Sequence, residues 1–139
     1  MTHPTTASAP VLAIPEGAEA PGILIVDDEP AVLEMLERGL RRHGFRVHRA
    51  TAHDAIEVFS RQRDGIAMAV IDVKMDGKGG PEVATALREL DPQLRFCFMS
   101  ADFGGHTAGQ LYDLGAERIL EKPFGPAEMA RTLNELLQR

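Results

Sequence analysis

Short apolar runs alternate with amphipathic stretches along most of the chain. The runs GILIVD, IAMAVID and LRFCFMS are largely apolar up to their last residue, which is typical of strands buried on both faces of a sheet. FRVHRA alternates apolar and polar residues in the manner of a strand, and RILEK is a weaker strand pattern. The apolar pattern therefore predicts five strands.

Five stretches with helical spacing alternate with these strands. The first places Leu33, Leu36 and Leu40 on one face of a helix, with Pro30 near its start and Gly44 at its end. Strict alternation of strands and helices, with short connections, predicts right-handed crossovers and a parallel sheet covered by helices on both faces. The predicted fold class is α/β.

Polar side chains follow the apolar runs where the predicted strands end. Asp27 and Asp28 follow the first strand, Asp72 the third, Ser100 the fourth and Lys122 the fifth. In an open parallel sheet these ends meet at one edge, where ligands bind. Two carboxylates about 4 Å apart repel by roughly 1 kcal/mol in water and roughly 4 kcal/mol at an effective dielectric constant near 20. Either a cation neutralises these acids, or they form a solvated turn.

Four motifs in this order, VDDEP, VIDVKMDGKGG, FMSA and EKPFG, resemble those of the receiver domain of two-component response regulators. The resemblance covers roughly residues 22–139, and the proline-rich residues 1–21 are expected to form a flexible N-terminal tail. It implies a flavodoxin-like, doubly wound sheet of five parallel strands in the order 2-1-3-4-5, with five helices.

The resemblance also implies a magnesium site and a phosphoacceptor. Asp72 matches the aspartate that accepts a phosphoryl group from a phosphohistidine. Asp28 matches a direct Mg²⁺ ligand, and Asp27 matches a ligand that usually acts through a bound water. Asp72 and the backbone carbonyl of Lys74 complete the metal ligands that the protein supplies. Mg²⁺ prefers such hard oxygen ligands, so the chemistry of the motif fits the assignment.

Two further residues match groups that contact the phosphoryl oxygens. Ser100 matches a hydroxyl that donates a hydrogen bond to one of these oxygens. Lys122 matches the lysine that pairs with the phosphoryl group, and the resemblance implies that the Lys122–Pro123 peptide bond is cis. Phosphoryl transfer requires alignment and stabilisation of charge on the equatorial oxygens, which an ammonium, a hydroxyl and a dication supply.

Ile119 departs from the family pattern, which usually has an aromatic residue three positions before the lysine. Ser100 and Ile119 are the switch positions that the resemblance implies. Because isoleucine is stiff at its β-branch and has no ring to swing inward, we expect a loop or the fourth helix to rearrange instead.

Asp76 is a second departure, since a proline commonly occupies this position in the family. Lys74 and Asp102 lie two residues after Asp72 and Ser100, where receiver side chains modulate hydrolysis of the acyl phosphate. We expect these two residues to form an ion pair that partly screens the site. The alternative is two solvated charges worth under about 1 kcal/mol.

Each candidate also has a structural alternative. Asp28 could cap the first helix, and capping is the favoured role for Glu29, because acids stabilise a helix N-terminus. Ser100 could cap the next segment, and Lys122 could be a surface lysine. The glycine-rich residues 77–80 lack the spacing of a phosphate-binding Walker loop and are interpreted as a flexible loop over Asp72.

Composition adds few constraints. The 139 residues, 44% hydrophobic and 26% charged, fit one globular domain. A net charge of −6 argues against a nucleic-acid partner, and no apolar segment approaches the roughly 18 residues that span a membrane. We therefore expect no nucleic-acid partner, no membrane association and a cytoplasmic location. The single cysteine, Cys97, has apolar neighbours and is expected to be a buried, inert thiol.

The leading hypothesis is a stand-alone receiver, phosphorylated by a histidine kinase or histidine phosphotransfer protein. It would catalyse only its own phosphorylation and dephosphorylation, would be a monomer or weak dimer, and would signal to an unknown downstream protein through a face including Tyr112 and Arg118. One alternative is a phosphate-independent receiver-like adaptor. A phosphohydrolase similar to haloacid dehalogenases is disfavoured, because the D-x-D arrangement of those enzymes is missing.

Overall fold

Five parallel strands form one sheet in the order β2-β1-β3-β4-β5. The computed structural model describes residues 20–103 and 105–139. The strand order confirms the predicted doubly wound, flavodoxin-like topology. The strands are β1 (Gly22–Val26), β2 (Arg46–Ala50), β3 (Ile66–Asp72), β4 (Phe96–Ser100) and β5 (Ile119–Glu121).

Five α-helices follow the five strands, as predicted. They are α1 (Pro30–Arg42), α2 (Ala55–Gln62), α3 (Gly80–Leu90), α4 (Ala108–Asp113) and α5 (Pro126–Leu137). Prolines occupy the first turns of α1, α3 and α5, where the missing N–H would have no partner within the helix. A 3₁₀ turn, Arg63–Gly65, leads from α2 into β3 and was not predicted.

The sheet separates two apolar layers, because successive strand side chains point to opposite faces. Ile23 and Ile25 pack with the buried residues of α1 and α5. Leu24 and Val26 pack with those of α2, α3 and α4. All residues of β1 and β4 are buried, which explains why their sequences are apolar without alternation. Cys97 lies in the first layer and is buried as predicted, and burial raises the pKa of its thiol to about 12.

Residues just before β1 are hydrogen-bonded to Arg46 at the start of β2. The predicted tail, residues 1–21, lies outside the described residues except for Ala20 and Pro21. The Pro21 carbonyl accepts a hydrogen bond from the Arg46 backbone N–H at 2.9 Å, and the Ala20 carbonyl accepts one from the Arg46 side chain at 2.8 Å. Within the described part of the chain, no helix is long and apolar enough to cross a membrane.

Candidate functional site

A lysine and two carboxylates meet at the carboxyl edge of the sheet. The Lys122 ammonium, just after β5, donates to Asp27 Oδ2 at 3.0 Å and to Asp72 Oδ2 at 3.3 Å. The other Asp27 oxygen accepts from the Glu29 backbone N–H at 2.9 Å. The Lys122–Pro123 bond is cis, as the resemblance implies. Three of the five predicted strand-end residues are therefore in direct contact.

The two carboxylates are buried together, and one cation serves both. Asp27 is 1% and Asp72 7% exposed. Burial, followed by the charge of Asp27, raises the pKa of the Asp72 carboxyl from 3.8 to about 6, although Lys122 opposes this. Burial lowers the pKa of Lys122, but its hydrogen bond to Asp27 and the charges of both acids outweigh this and raise it overall. The single Lys122 ammonium can neutralise only one of the two carboxylates that it contacts.

Asp28 does not join this cluster, although a direct metal ligand was predicted at this position. Its Oδ1 accepts from the Ala52 backbone N–H at 3.1 Å, and its Oδ2 accepts from the Asp76 backbone N–H at 2.9 Å. Over residues 20–103 and 105–139, no three acidic, histidine or cysteine side chains are arranged to hold a metal ion. The Asp28 carboxylate instead ties the β2–α2 loop to the β3–α3 loop.

The donor set nevertheless fits Mg²⁺ in its chemistry. Asp27 and Asp72 present hard carboxylate oxygens, and Mg²⁺ is commonly bound through one or two carboxylates together with water. Asp28 would add a third carboxylate if its side chain turned away from the two backbone amides. The residues therefore fit the ion, with Asp28 as the ligand that has to move.

Ser100 and Glu29 lie at the expected positions. Ser100 is 2% exposed at the end of β4, but its hydroxyl donates to the Asp102 carbonyl in the loop that follows. Glu29 occupies the N-cap position of α1, but its side chain makes no capping hydrogen bond. The position expected for Glu29 at the start of α1 is confirmed, without a side-chain hydrogen bond to the helix.

Lys74 and Asp102 form the expected ion pair in the loops that follow Asp72 and Ser100. Their Nζ and Oδ2 atoms are 3.5 Å apart, and the side chains are 69% and 62% exposed. Such an exposed pair contributes at most about 1 kcal/mol to stability. The backbone of Lys74 also hydrogen-bonds the Asp72 carboxylate, which helps to keep it ionised. A role for the Lys74 carbonyl as a metal ligand stays a prediction.

Gly80 is a residue of the site that sequence reasoning missed. A Cβ atom at this position would lie 2.1 Å from the Asp72 carbonyl oxygen, so any side chain would displace the backbone of Asp72. The Gly80 N–H also donates to the Val73 carbonyl at 2.8 Å. The glycine-rich stretch was interpreted as a flexible loop, but its last glycine begins α3 and packs against the end of β3. The sequence feature that could have indicated this close contact is a glycine at the first position of a helix, directly before Pro81.

The raised pKa of Asp72 makes a testable contribution to stability. Because the folded state holds this proton more tightly than the unfolded state, the contribution to the free energy of unfolding falls as the pH rises from 3.8 to about 6. Such a difference corresponds to at most about 3 kcal/mol, and hydration of the partly solvated carboxylate reduces it. We expect Asp72→Asn to stabilise the protein by about 1–2 kcal/mol in urea denaturation at neutral pH. The gain should disappear below the ordinary aspartate pKa; an equal gain at both pH values would contradict this assignment.

The doubly wound parallel sheet, with buried carboxylates and a lysine at its carboxyl edge, defines a phosphoacceptor domain of the receiver class. The family model of the response regulator receiver domain matches residues 23–134, and the chain belongs to this family. Receiver domains are signalling domains rather than conventional enzymes, and their general function is phosphorylation on an aspartate by histidine kinases or phosphotransfer proteins.

Curated relatives are longer than this chain. Transcriptional regulatory protein PrrA of Mycobacterium tuberculosis is 37% identical over 124 residues, which cover 88% of this chain and 52% of PrrA. Transcriptional regulatory protein YvrH of Bacillus subtilis is 34% identical over 123 residues, covering 87% of this chain and 51% of YvrH. The chain thus spans about half the length of these relatives.

Solved structures confirm the fold. A chain of the CheX–CheY–BeF₃–Mg²⁺ complex of Borrelia burgdorferi aligns with a TM-score of 0.78 at 19% identity, over 86% of this chain and 90% of that chain. At this identity, the likeness establishes the fold alone.

Proposed function

We propose that this protein accepts a phosphoryl group on Asp72 from the phosphohistidine of a histidine kinase or phosphotransfer protein, with Mg²⁺, and that phosphorylation changes its contacts with other proteins. The observation that carries the proposal is the Lys122 ammonium between the oxygens of Asp27 and Asp72, at 3.0 and 3.3 Å. In the transfer, an Asp72 oxygen bonds to phosphorus as the P–N bond breaks. The imidazole retains the electron pair and takes a proton from solvent.

Each residue has a definite part in this chemistry. Asp72 reacts as the carboxylate, which predominates above its pKa of about 6. Lys122, held charged by two carboxylates, stabilises negative charge on the incoming phosphoryl oxygens. Ser100 would release the Asp102 carbonyl and donate to one of these oxygens.

Asp27, Asp72 and, after turning, Asp28 would hold Mg²⁺ together with the Lys74 carbonyl. When bound, the ion neutralises charge on the transferred group. CheY of the similar B. burgdorferi complex was crystallised with BeF₃ and Mg²⁺, which supports this assignment by analogy.

The proposal is tested by incubating the protein with acetyl phosphate and Mg²⁺ and measuring its intact mass. We expect a gain of one phosphoryl group that EDTA prevents and alkaline hydroxylamine removes, since an acyl phosphate is labile to that nucleophile. If no adduct forms and BeF₃ also leaves the spectra unchanged, the protein is a phosphate-independent adaptor instead.

The output side of the domain is proposed to be α4 and its surroundings. Ile119 is half-buried in β5 and packs against the layer that contains Leu111 of α4. Tyr112 on the same helix is 44% exposed, and Arg118 pairs with Glu135 at 3.3 Å. We expect α4 to move on phosphorylation while Ile119 keeps its rotamer; a large rotamer change at Ile119 would contradict this.

Removal of the Lys74 ammonium should shorten the life of the phosphoryl group. We propose that the Lys74–Asp102 pair partly screens Asp72 from water. Because an exposed pair is worth at most about 1 kcal/mol, we expect hydrolysis to accelerate by about two- to fivefold in Lys74→Ala. The decay of the intact-mass adduct measures this rate. Lys78→Ala is the matched control, because Lys78 is an exposed lysine of the same loop. An unchanged half-life in Lys74→Ala would show that the pair does not screen the site.

A downstream protein partner and a monomer or weak dimer complete the proposal. The expectation that the receiver acts alone stays a prediction, because the curated relatives are about twice as long. The cytoplasmic location expected from the sequence also stays a prediction.

A further inference from the structure

Asp28 is held away from the proposed metal site by two backbone amides. The donors, Ala52 and Asp76, lie 24 and 48 residues further along the chain. Hydrogen bonds from N–H groups to a carboxylate are charge-assisted and are stronger than those between neutral groups. Turning Asp28 toward Asp72 therefore requires both bonds to break or lengthen.

The second of these bonds exists because residue 76 is not proline. Proline has no backbone N–H, and it commonly occupies this position in receiver domains, so a chain with proline there could not hold Asp28 in this way. Here the Asp76 N–H lies 2.9 Å from Asp28 Oδ2. The bond fastens the β3–α3 loop, which begins directly after Asp72, to the end of β1.

We propose that the Asp76 backbone amide is a latch that competes with the divalent cation for Asp28, so that metal loading and release of the β3–α3 loop are coupled. This inference rests on the proposed function, because it assumes that Mg²⁺ binds beside Asp72. The latch makes the loop over the acceptor more ordered without metal and lowers the affinity for Mg²⁺. By linkage, a partner that binds the loop released from Asp28 raises the affinity for Mg²⁺. Mg²⁺ raises the affinity for that partner by the same factor.

Two substitutions at one position separate the amide from the side chain. Asp76→Ala removes the carboxylate but keeps the N–H, whereas Asp76→Pro removes both. Isothermal titration calorimetry with MgCl₂, without any phosphodonor, measures the affinity. We expect Asp76→Ala to bind Mg²⁺ within about threefold of the unmodified protein, and Asp76→Pro to bind about tenfold more tightly than Asp76→Ala. Equal or weaker binding by a folded Asp76→Pro protein would overturn the latch.

A measurement on the unmodified protein covers the case in which Asp76→Pro fails to fold. In an NMR titration with MgCl₂, we expect the Asp76 and Ala52 amide protons to shift upfield and to lose hydrogen-exchange protection by about tenfold, as their bonds to Asp28 break. Amides near Asp27 and Asp72 that respond while those of Asp76 and Ala52 do not would overturn the latch but leave the proposed function intact. No response anywhere would overturn both.

Discussion

Asp72→Asn will abolish the phosphoryl adduct that acetyl phosphate and Mg²⁺ form on the unmodified protein. An asparagine oxygen can still accept the hydrogen bond from Lys122, which now spans 3.3 Å to Asp72, but a neutral amide is not a nucleophile for phosphorus. The substitution therefore preserves the shape of the site and removes only its reactivity. Intact-mass spectrometry measures the loss directly, and circular dichroism checks that the variant is folded.

Two neighbouring carboxylates provide the controls for this experiment. Asp76 and Asp102 are exposed and lie in loops beside the site. Asp76→Asn should retain the adduct, and Asp102→Asn should form it but lose it faster by hydrolysis, because the pair with Lys74 is broken. An adduct of unchanged yield on Asp72→Asn would place the acceptor elsewhere and refute the function proposed for this edge of the sheet. Failure of the adduct to form in a control variant would show that the acceptor depends on more than Asp72.

Lys122→Met will destabilise the protein more than any other substitution of a lysine in the site. Removing one partner of a buried ion pair costs about 3–5 kcal/mol. The Lys122 side chain is 19% exposed while that of Asp27 is 1% exposed, so we expect a loss of about 2–3 kcal/mol at neutral pH. Asp27 and Asp72 would then repel each other with no cation between them. Phosphorylation by acetyl phosphate should also slow by at least about tenfold.

The pH dependence of this loss identifies its cause. Lys122 lowers the pKa of Asp72, so without it the pKa of about 6 rises further, and mild acid neutralises the carboxylate. The destabilisation, measured by urea denaturation, should therefore shrink as the pH falls toward 5. Lys74→Met is the matched control, since the Lys74 side chain is 69% exposed and its ammonium pairs with Asp102, which is also exposed. A pH-independent loss would indicate lost packing rather than lost charge.

The strands and the contacts at their ends were predictable because both follow from topology. Continuous apolar runs identify strands buried on both faces, and the residue that ends each run is fixed at one edge of a parallel sheet. Asp27, Asp72 and Lys122 meet for that reason. The four motifs added the family, and the family model that matches residues 23–134 confirmed it.

Side-chain direction and close packing were not predictable in the same way. Asp28 follows Asp27 directly, yet its carboxylate is oriented by amides 24 and 48 residues away, which no local pattern encodes. Gly80 is required by the approach of α3 to the Asp72 carbonyl, a tertiary contact between two elements. Ser100 was placed correctly at the end of β4, but its hydroxyl donates within its own loop.

Tyr112 gives the chain a natural optical probe. It is the single tyrosine in a sequence that contains no tryptophan, and it is partly exposed on α4. Emission excited at wavelengths that phenylalanine does not absorb therefore originates at this one tyrosine. Its intensity and its quenching by iodide report on that helix alone, so a stopped-flow fluorimeter can time the helix rearrangement without any dye or engineered residue.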